Sequence, residues 1–266
     1  MPLNFACASS VYGNAPKEQF KTETQELFSN LAGSRAEDKE VSLTLLRSHG
    51  GLSSQLIDPD FAGWREIKPV KVVLWRWAVV EGKIQRHSLS LFVKGYWLGG
   101  KLILHLSWAD QINDLSTAGK SFSDACALEY PFFAKKKPPC PGMGEAGNPV
   151  RIWRWSADAC ESETVKDHIW QAQVGVGQLE SLISEGASTI TPFKSAKSEF
   201  ACGSCFNQGR WAVTMLIETG AGSRAPGQPD SLPVAFAVWD GQNGDSGGQK
   251  FVSSWIRLQI PEPCRN

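Results

Sequence analysis

Runs rich in β-branched and aromatic residues recur along the chain, and they constrain its fold more than any other feature. The run VKVVLWRWAVV at 70–80 suits a partly buried strand, because such side chains pack well on a pleated surface. Comparable runs lie at 88–95, 101–108, 122–130, 150–156, 209–219, 232–239 and 251–260. At least seven strands without alternating helices predict a mainly β fold, a β-sandwich with long loops and a few short helices.

The strand runs follow a different kind of sequence, which predicts two parts in the chain. Residues 1 to about 40 are polar and show no strand alternation, and residues 1–55 are predicted to form an N-terminal extension that is helical, with short helices at 22–31 and 35–46, or serves as a docking arm. Residues 56–266 predict the β-sandwich domain, in which 178–185 is expected to form a helical turn. Gly99 and Gly100 separate two strand runs and predict a hairpin.

The balance of charges and the lack of long apolar runs argue against several partner classes. The chain has 27 basic and 27 acidic residues, so it lacks the basic excess that nucleic acids or anionic membranes attract. No apolar run approaches the roughly 20 residues that a membrane-spanning helix needs, so no transmembrane segment is expected. The first residues show no apolar stretch after a basic start, so no secretory signal is visible.

The seven cysteines leave at least one thiol unpaired. Several lie in loop-like sequence, where disulfides are expected in an oxidising compartment and free thiols in a reducing one. Cys202 and Cys205 have the spacing of redox and metal sites, but Phe206 stands where covalent haem attachment needs histidine. No second pair with this spacing completes a four-cysteine zinc site. A local disulfide and two plain thiols are therefore the remaining interpretations of this pair.

Two single residues have side chains that could bind a soft metal. Met143 lies in the loop Pro-Gly-Met-Gly, where flanking glycines permit close approach to a flat ligand. Its thioether is a soft iron ligand, although a methionine that fills a gap in the core is an equal alternative. Lys250 follows a glycine-rich turn, a position typical of a solvated lysine. Burial would be needed to make its amine neutral and able to bind a metal.

Four segments occur in a fixed order that is more specific than any one of them. They are LHLSWAD at 104–110, PGMG at 141–144 with NPVRIWRW at 148–155, GRWAV at 209–213, and PVAFAVWDG at 233–241 with GQKFVSSW at 248–255. Together they resemble the haem b-binding gamma subunits of ethylbenzene dehydrogenase, dimethylsulfide dehydrogenase, selenate reductase and chlorate reductase. The resemblance spans roughly residues 58–262.

This resemblance implies a function as well as a fold. In that family the methionine of the Met-Gly loop and the lysine before the final strand hold the iron of haem b, which implies Met143 and Lys250 as the axial ligands here. The same segments make His105, Trp108 and Trp153 candidates to line the cofactor pocket. With both axial positions filled, the implied role is electron transfer without catalysis, beside an iron–sulfur subunit and a molybdopterin catalytic subunit. Family members are usually periplasmic, whereas no signal segment is visible in this chain.

Two other interpretations stay open. Tryptophan-rich β-sandwiches also bind carbohydrates, and four of the eleven tryptophans could form a stacking platform: Trp97, Trp108, Trp153 and Trp155. The chain could also be a structural subunit that lacks haem. The four histidines are scattered, which argues against a haem held by two of them. The turn at 240–248 lacks the spacing of an EF-hand calcium loop, and no catalytic triad, phosphate loop or pair of catalytic carboxylates stands out.

Overall fold

The structure, a computed structural model, describes residues 42–47, 55–80, 83–98, 100–115, 122–133, 137–139, 141–157, 173–174, 177–186, 189–193, 200–218 and 231–261. Two short 3₁₀ helices, Gln55–Ile57 and Ala62–Glu66, lie within these residues. Among the described helices, none is long and apolar enough to span a bilayer. The strands in chain order are β1 (Ser42–Thr44), β2 (Leu46–Arg47), β3 (Val70–Val80), β4 (Lys83–Leu98), β5 (Lys101–Ala109), β6 (Ala125–Pro131), β7 (Val150–Ser156), β8 (Gln173–Val174), β9 (Gln178–Ser184), β10 (Thr191–Pro192), β11 (Ala201–Phe206), β12 (Arg210–Glu218), β13 (Ser231–Trp239), β14 (Phe251–Val252) and β15 (Ile256–Gln259).

The strands form one curled, hydrogen-bonded sheet. Its order is β10-β9-β7-β6-β13-β14-β3-β4-β5-β12-β11-β8, and β15 pairs with β13, β1 with β15, and β2 with β4. Most neighbours are antiparallel, whereas the pairs β1–β15, β2–β4 and β8–β11 are parallel. The prediction of a mainly β fold is confirmed. The strands continue in a single sheet because β13 pairs with β6, β14 and β15 along its length.

Tryptophans fill the core on the inner face of the curled sheet. Trp108 of β5, Trp153 and Trp155 of β7 and Trp211 of β12 face inward and are fully buried. The rings of Trp108, Trp155 and Trp211 contact one another with centroids 5.0, 6.3 and 6.4 Å apart, distances at which aromatic pairs attract. The indoles therefore build the core rather than the surface.

Two smaller apolar clusters cover the outer face of the sheet. Beside β4, β5 and β12, the 3₁₀ helices bring Leu56, Ile57 and Trp64 onto Ile103. On another part of the sheet, outward residues of β6, β7, β9 and β13 form the second cluster, which includes Ala125, Ala127, Ile152, Leu182, Ala237 and Trp239. This second cluster borders the cavity that is described below.

Most predicted strands are confirmed within a few residues. The run at 70–80 is β3, and 150–156 is β7. The predicted hairpin joins β4 to β5 through the pair Leu98 and Lys101. The final run is interrupted, because β14 ends at Val252 and β15 begins at Ile256.

Two predicted helices are wrong where the structure describes them. Residues 178–184 form β9, and residues 42–47, at the end of the helix predicted at 35–46, contain β1 and β2. Pairing with β7, β15 and β4 outweighs the local helical pattern in these segments. Leu43 and Leu45, which were predicted in the N-terminal extension, are buried in the main core. The helix predicted at 22–31 lies outside the described residues.

The Cys202 and Cys205 pair lies on β11, and neither thiol forms a disulfide. Residues three apart on a strand point to opposite faces of a sheet, which prevents a disulfide between them. The sequence left a local disulfide and two plain thiols as alternatives for this pair, and the structure shows two plain thiols. Cys126 likewise forms no disulfide and is buried in the core. The other four cysteines lie outside the described residues.

His105 lies on the outward face of β5, in contact with the cluster beneath the 3₁₀ helices. Its ring centre is 5.1 Å from that of Trp64, and Lys94 is its partner in the β4–β5 register. Burial, and next the positive charge of Lys94, lower the pKa of His105 to about 4, against the opposing effects of the Pro59 carbonyl and Asp60. The imidazole is therefore neutral near pH 7.

The lowered pKa of His105 predicts that stability decreases in acid. The unfolded chain binds this proton near pH 6.5 and the folded chain only near pH 4. The contribution of the neutral, buried His105 to the free energy of unfolding is therefore complete above pH 6.5. It is lost as the pH falls from 6.5 towards 4. We expect His105 to lower the free energy of unfolding by about 2 kcal/mol between about pH 7.5 and about pH 5.

Urea unfolding at both pH values measures this difference. The His105→Gln variant should show a smaller pH dependence, whereas His87→Gln, which removes an exposed histidine from β4, should keep the parental one. The same pH dependence in the parent and in His105→Gln would contradict the assignment.

Candidate cofactor-binding site

A cavity opens on the outward face of the neighbouring strands β6, β7, β9 and β13. Two loops complete its wall: the Met-Gly loop between β6 and β7, and the turn between β13 and β14. Most of the lining is apolar and includes Ala127, Ile152, Leu182, Ala235, Ala237 and Trp239. Among the lining residues, three carry charged side chains: Glu129, Arg154 and Lys250. A largely apolar cavity with a few convergent polar groups is the usual form of a cofactor site.

Small residues form the floor of this cavity. Ala127 of β6 lies opposite Ala237 of β13, and Glu129 lies opposite Ala235. The residues between them, such as Leu128, face the other way and are buried in the main core. Because successive residues of a strand point to opposite faces, β6 and β13 place large side chains in the core and leave space on the outside.

The Met-Gly loop lies against this floor. Gly142 and Gly144 have φ values of 124° and 71°, which favour glycine. A Cβ at position 144 would also lie 2.7 Å from the carbonyl oxygen of Ser184, so the loop approaches β9 closely. Gly142 lines the cavity, and the next residue, Met143, is only 7% exposed. The carbonyl oxygen of Met143 accepts the N–H of Gly186 at 2.8 Å, which ties the loop to the chain beyond β9.

Lys250 reaches the cavity from the turn that follows β13. It is 6% exposed, so it is not the solvated lysine that its position in the sequence suggests. Its Nζ donates to the carbonyl oxygen of Gly247 at 3.3 Å and lies 5.2 Å from the ring centre of Trp239. Burial lowers the pKa of Lys250, and the negative charge of Glu129 opposes this effect. Burial therefore makes the neutral amine, the form that can bind a metal, easier to reach than it is for a solvated lysine.

Glu129 is a buried acid in these apolar surroundings. Both of its carboxylate oxygens accept the N–H of Gly142, at 3.0 and 3.1 Å. Burial raises the pKa of Glu129, and the Gly142 N–H and the positive charge of Lys250 oppose the rise. One carboxylate thus bonds the loop that carries Met143 and lines the same cavity as Lys250.

The edge of the cavity at β7 and β9 is open to solvent. Arg154 and Glu180 form an ion pair there at 2.6 Å, with both side chains more than one third exposed. Ile190, which also lines the cavity, is 43% exposed. A guanidinium at this edge suits a ligand that carries carboxylates, because arginine binds them with paired hydrogen bonds.

The structure brings two of the five predicted site residues to this region. Lys250 lines the cavity. Met143 follows Gly142 in the Met-Gly loop, and Gly142 lines the cavity. Trp108 and Trp153 lie in the main core, and His105 lies beside Trp64 at the other cluster. None of these three side chains lines the cavity: Trp153 points to the inner face of β7, and β5, which carries His105 and Trp108, is not among the strands that form the cavity. The metal-binding roles of Met143 and Lys250 stay predictions.

Sequence reasoning missed Glu129, Arg154 and Trp239 as residues of this site. A signal for Glu129 was present, because it is the single charged residue in β6, ACALEYP, and alternates with Ala125 and Ala127. An acid on the small-residue face of an otherwise apolar strand indicates a buried polar contact. The position of Arg154 depends on the β6–β7 and β7–β9 pairings, which a strand pattern alone does not specify.

The stacking platform considered from the sequence is wrong for three of its four tryptophans. Trp108, Trp153 and Trp155 have no exposed surface, so a sugar ring cannot stack on them. Trp97 is half-buried and packs against the main core. The tryptophans that suggested a carbohydrate site instead hold the two sides of the curled sheet together.

A second polar group lies away from the cavity and has a structural explanation. Carboxylate oxygens of Asp110, Asp124 and Asp240 lie within 4.8 Å of one another and could hold a metal ion. However, Asp124 accepts two backbone N–H groups and the indole N–H of Trp211, each at 2.9 Å. Burial, and next the charge of Asp124, raise the pKa of Asp110 to about 7, which reduces the repulsion. The group therefore joins β5, β12 and β13 without needing a metal.

Similarity to solved structures is low. A family 9 carbohydrate-binding module from Caldicellulosiruptor kristjanssonii gives TM-scores of 0.45 with glucose and 0.44 with cellotriose, at 7% and 9% identity. These comparisons cover 85% of this chain and 98% and 100% of the modules. A protein from Bacteroides uniformis described as carbohydrate-binding gives 0.41 at 11% identity, over 83% of this chain and 99% of that protein. These scores support no inference about ligand or fold.

Similarity to curated sequences is more informative. The chain is 31% identical over 162 residues to a respiratory nitrate reductase haem subunit from Haloferax mediterranei, covering 59% of this chain and 51% of that protein. It is 26% identical over 167 residues to the chlorate reductase gamma subunit of Ideonella dechloratans, covering 60% and 61%. It is 27% identical over 237 residues to the dimethylsulfide dehydrogenase gamma subunit of Rhodovulum sulfidophilum, covering 85% and 84%.

The extent of these matches differs among the relatives. The chain spans about half the length of the Haloferax protein and 61% of the Ideonella protein, but 84% of the Rhodovulum protein. No protein-family profile matches the chain. The relatives nevertheless agree with the resemblance that the four sequence segments indicate. The chain is therefore similar in sequence to haem and gamma subunits of reductases and of a dehydrogenase.

Proposed function

We propose that the chain is an electron-transfer subunit that binds one non-covalent b-type haem in the cavity described above. Met143 and Lys250 are its axial ligands, and the subunit exchanges electrons with an iron–sulfur subunit of a larger molybdopterin oxidoreductase. The observation that carries the proposal is that Lys250 and the turn holding Met143, 107 residues apart in the sequence, meet at one largely apolar cavity.

The residues around the cavity fit a haem. Two axial ligands bind one iron from opposite faces of a porphyrin, so the segments that supply them must lie near each other, as these two do. A thioether and a neutral amine are both able to bind haem iron, and a thioether ligand raises the reduction potential. The alanine floor places no large side chain in the way of a flat group, and Arg154 at the open edge suits its carboxylates.

The ligand set favours electron transfer over catalysis. A haem supplies a one-electron carrier, whose potential the axial ligands and the surrounding burial adjust. When side chains fill both axial positions, no position remains for a substrate. The names of the relatives point the same way, since they are gamma or haem subunits of reductases and a dehydrogenase. An iron–sulfur partner and a molybdopterin catalytic subunit follow from the family resemblance and are part of the proposal.

The visible spectrum of the purified protein tests haem binding directly. We expect sharp α and β bands on reduction, a low-spin ferric state, and haem that acidified acetone extracts, because no covalent attachment is proposed. A protein that stays colourless, and that never gains a low-spin spectrum when haemin is added, would instead support the interpretation of a structural subunit without haem.

Replacement of the methionine tests the first ligand. Met143→Leu keeps volume and apolarity but removes the sulfur, so we expect a lower midpoint potential and carbon monoxide binding that the parent lacks. Met215→Leu is the matched control, because Met215 is fully buried in the core of β12. Equal potentials and equal inertness to carbon monoxide in parent and Met143→Leu would exclude Met143 as a ligand.

Replacement of the lysine tests the second ligand. We expect Lys250→Ala to convert the low-spin ferric haem largely to high spin, because one axial position opens. Electron paramagnetic resonance measures this change. Lys94→Ala is the control, since Lys94 is also a partly buried lysine but bonds the carbonyl oxygen of Trp64 on another part of the sheet. A low-spin spectrum in Lys250→Ala that matches the parent would refute the lysine ligand.

Filling the cavity tests its location. Ala127→Leu places a larger apolar side chain on the floor, so we expect the apoprotein to fold but its haem affinity to fall at least tenfold, or about 1.4 kcal/mol. Ala212→Leu makes the same change on the outer face of β12 and should retain parental affinity. Haem titration measures affinity, and far-ultraviolet circular dichroism checks folding. Parental affinity in Ala127→Leu would place the haem elsewhere.

A further inference from the structure

We propose that Glu129 is a positioning residue for the axial ligands: its carboxylate holds the turn that carries Met143 and lines the same cavity as Lys250, so that one buried acid lies between both ligand-bearing segments. This inference rests on the proposed function and extends it to a residue that lies outside the four sequence segments.

The contact with the Met-Gly loop is direct. The Gly142 N–H donates to both Glu129 oxygens, at 3.0 and 3.1 Å, and Gly142 immediately precedes Met143. Gly142 has a φ of 124°, and a Cβ there would meet no heavy atom within 4 Å, so packing around this residue does little to fix its conformation. The hydrogen bond to a rigid strand residue is thus a main restraint on the direction in which the next side chain points.

The relation to Lys250 is electrostatic. Both side chains line the same cavity, and each is the opposite charge that acts on the other. The carbonyl oxygen of Gly247 holds Lys250 from the side of its own turn. Lys250 thus lies at the same cavity as the strand whose carboxylate holds the methionine turn. The two predicted ligands are therefore placed relative to one common group.

A purely stabilising role explains this acid poorly. A carboxylate removed from water costs several kcal/mol unless hydrogen bonds and an opposite charge offset the loss, and replacing a buried ion pair by apolar residues is often neutral or stabilising. The neighbouring lining positions are occupied by Ala127, Ala235 and Ile152. An apolar residue at 129 would complete this wall, but it would leave Gly142 without its acceptor and Lys250 without its opposite charge.

Two substitutions separate the two contacts. Glu129→Gln keeps an acceptor for the Gly142 N–H but removes the negative charge, whereas Glu129→Ala removes both. Glu145→Gln and Glu145→Ala are matched controls, because Glu145 lies in the same loop but bonds Asn148 within its own turn and does not line the cavity. Haem-free and haem-loaded protein are measured for every variant.

Haem-free protein reports the restraint on the loop. We expect amide hydrogen exchange of Gly142 to be at least tenfold faster in Glu129→Ala than in the parent, with a smaller increase in Glu129→Gln. Haem-loaded protein reports ligand alignment. We expect Glu129→Ala to lose most of the near-infrared band of the methionine–iron bond and to bind carbon monoxide, and Glu129→Gln to lie between it and the parent. Both Glu145 variants should match the parent in all three measurements.

The outcomes show whether the positioning role of Glu129 fails alone or together with the proposed haem-binding function. A parental protein without a low-spin haem would overturn the proposed function, and the positioning role with it. A parental low-spin haem whose methionine band and inertness to carbon monoxide persist in both Glu129 variants would overturn the positioning role alone. Faster exchange at Gly142 with unchanged haem ligation would likewise reduce Glu129 to a structural support of the loop.

Discussion

The two-residue alternation of β6 and β13 is the constraint on which both the core and the cavity depend. Leu128 and Phe236 pair across these strands on the inner face, while Ala127 and Ala237 pair on the outer face. A slip of one residue would exchange the two faces. Large side chains would then fill the cavity, and alanines would leave voids in the core, at a cost of several kcal/mol. The packing of the core therefore also keeps the cavity open.

Two buried charges distinguish this cavity from an ordinary gap between side chains. Glu129 and Lys250 are each more than 90% buried, and the alanines around them offer no compensating polar atoms. Burying such ionisable groups is costly unless hydrogen bonds offset the loss of water, and here each has at least one hydrogen bond. Apolar residues at these two positions would stabilise the fold more. Side chains kept at a cost to stability are typical of a site that serves a function.

The sequence was sufficient for the parts of the fold that local pattern determines. Strand runs such as 70–80 and 150–156 were predicted with their observed bounds, because their β-branched and aromatic residues have a clear strand preference. The segment 178–184 was predicted to be helical, because its strand character depends on pairing with β7 along its whole length. The same limit applies to β1 and β2, whose pairing partners lie far away in the chain.

Residues of the candidate site could be predicted when they belong to a sequence motif. They could not be predicted when their role depends on how the strands pair and which way their side chains point. Met143 and Lys250 were found because their segments resemble a family, whereas Lys250 alone suggests a solvated side chain. Trp108 and Trp153 belong to the same segments, but the alternation of their strands turns them into the core. Glu129 belongs to none of those segments, and its importance emerges only when β6 is seen beneath the Met-Gly loop.

X-ray absorption at the iron edge of the haem-loaded protein tests the central claim most directly, because it identifies the atoms bound to iron without any substitution. The account predicts one sulfur atom in the first coordination shell, together with the porphyrin nitrogens and one further nitrogen. A shell without sulfur, or one with an open axial position, would contradict a haem held between Met143 and Lys250.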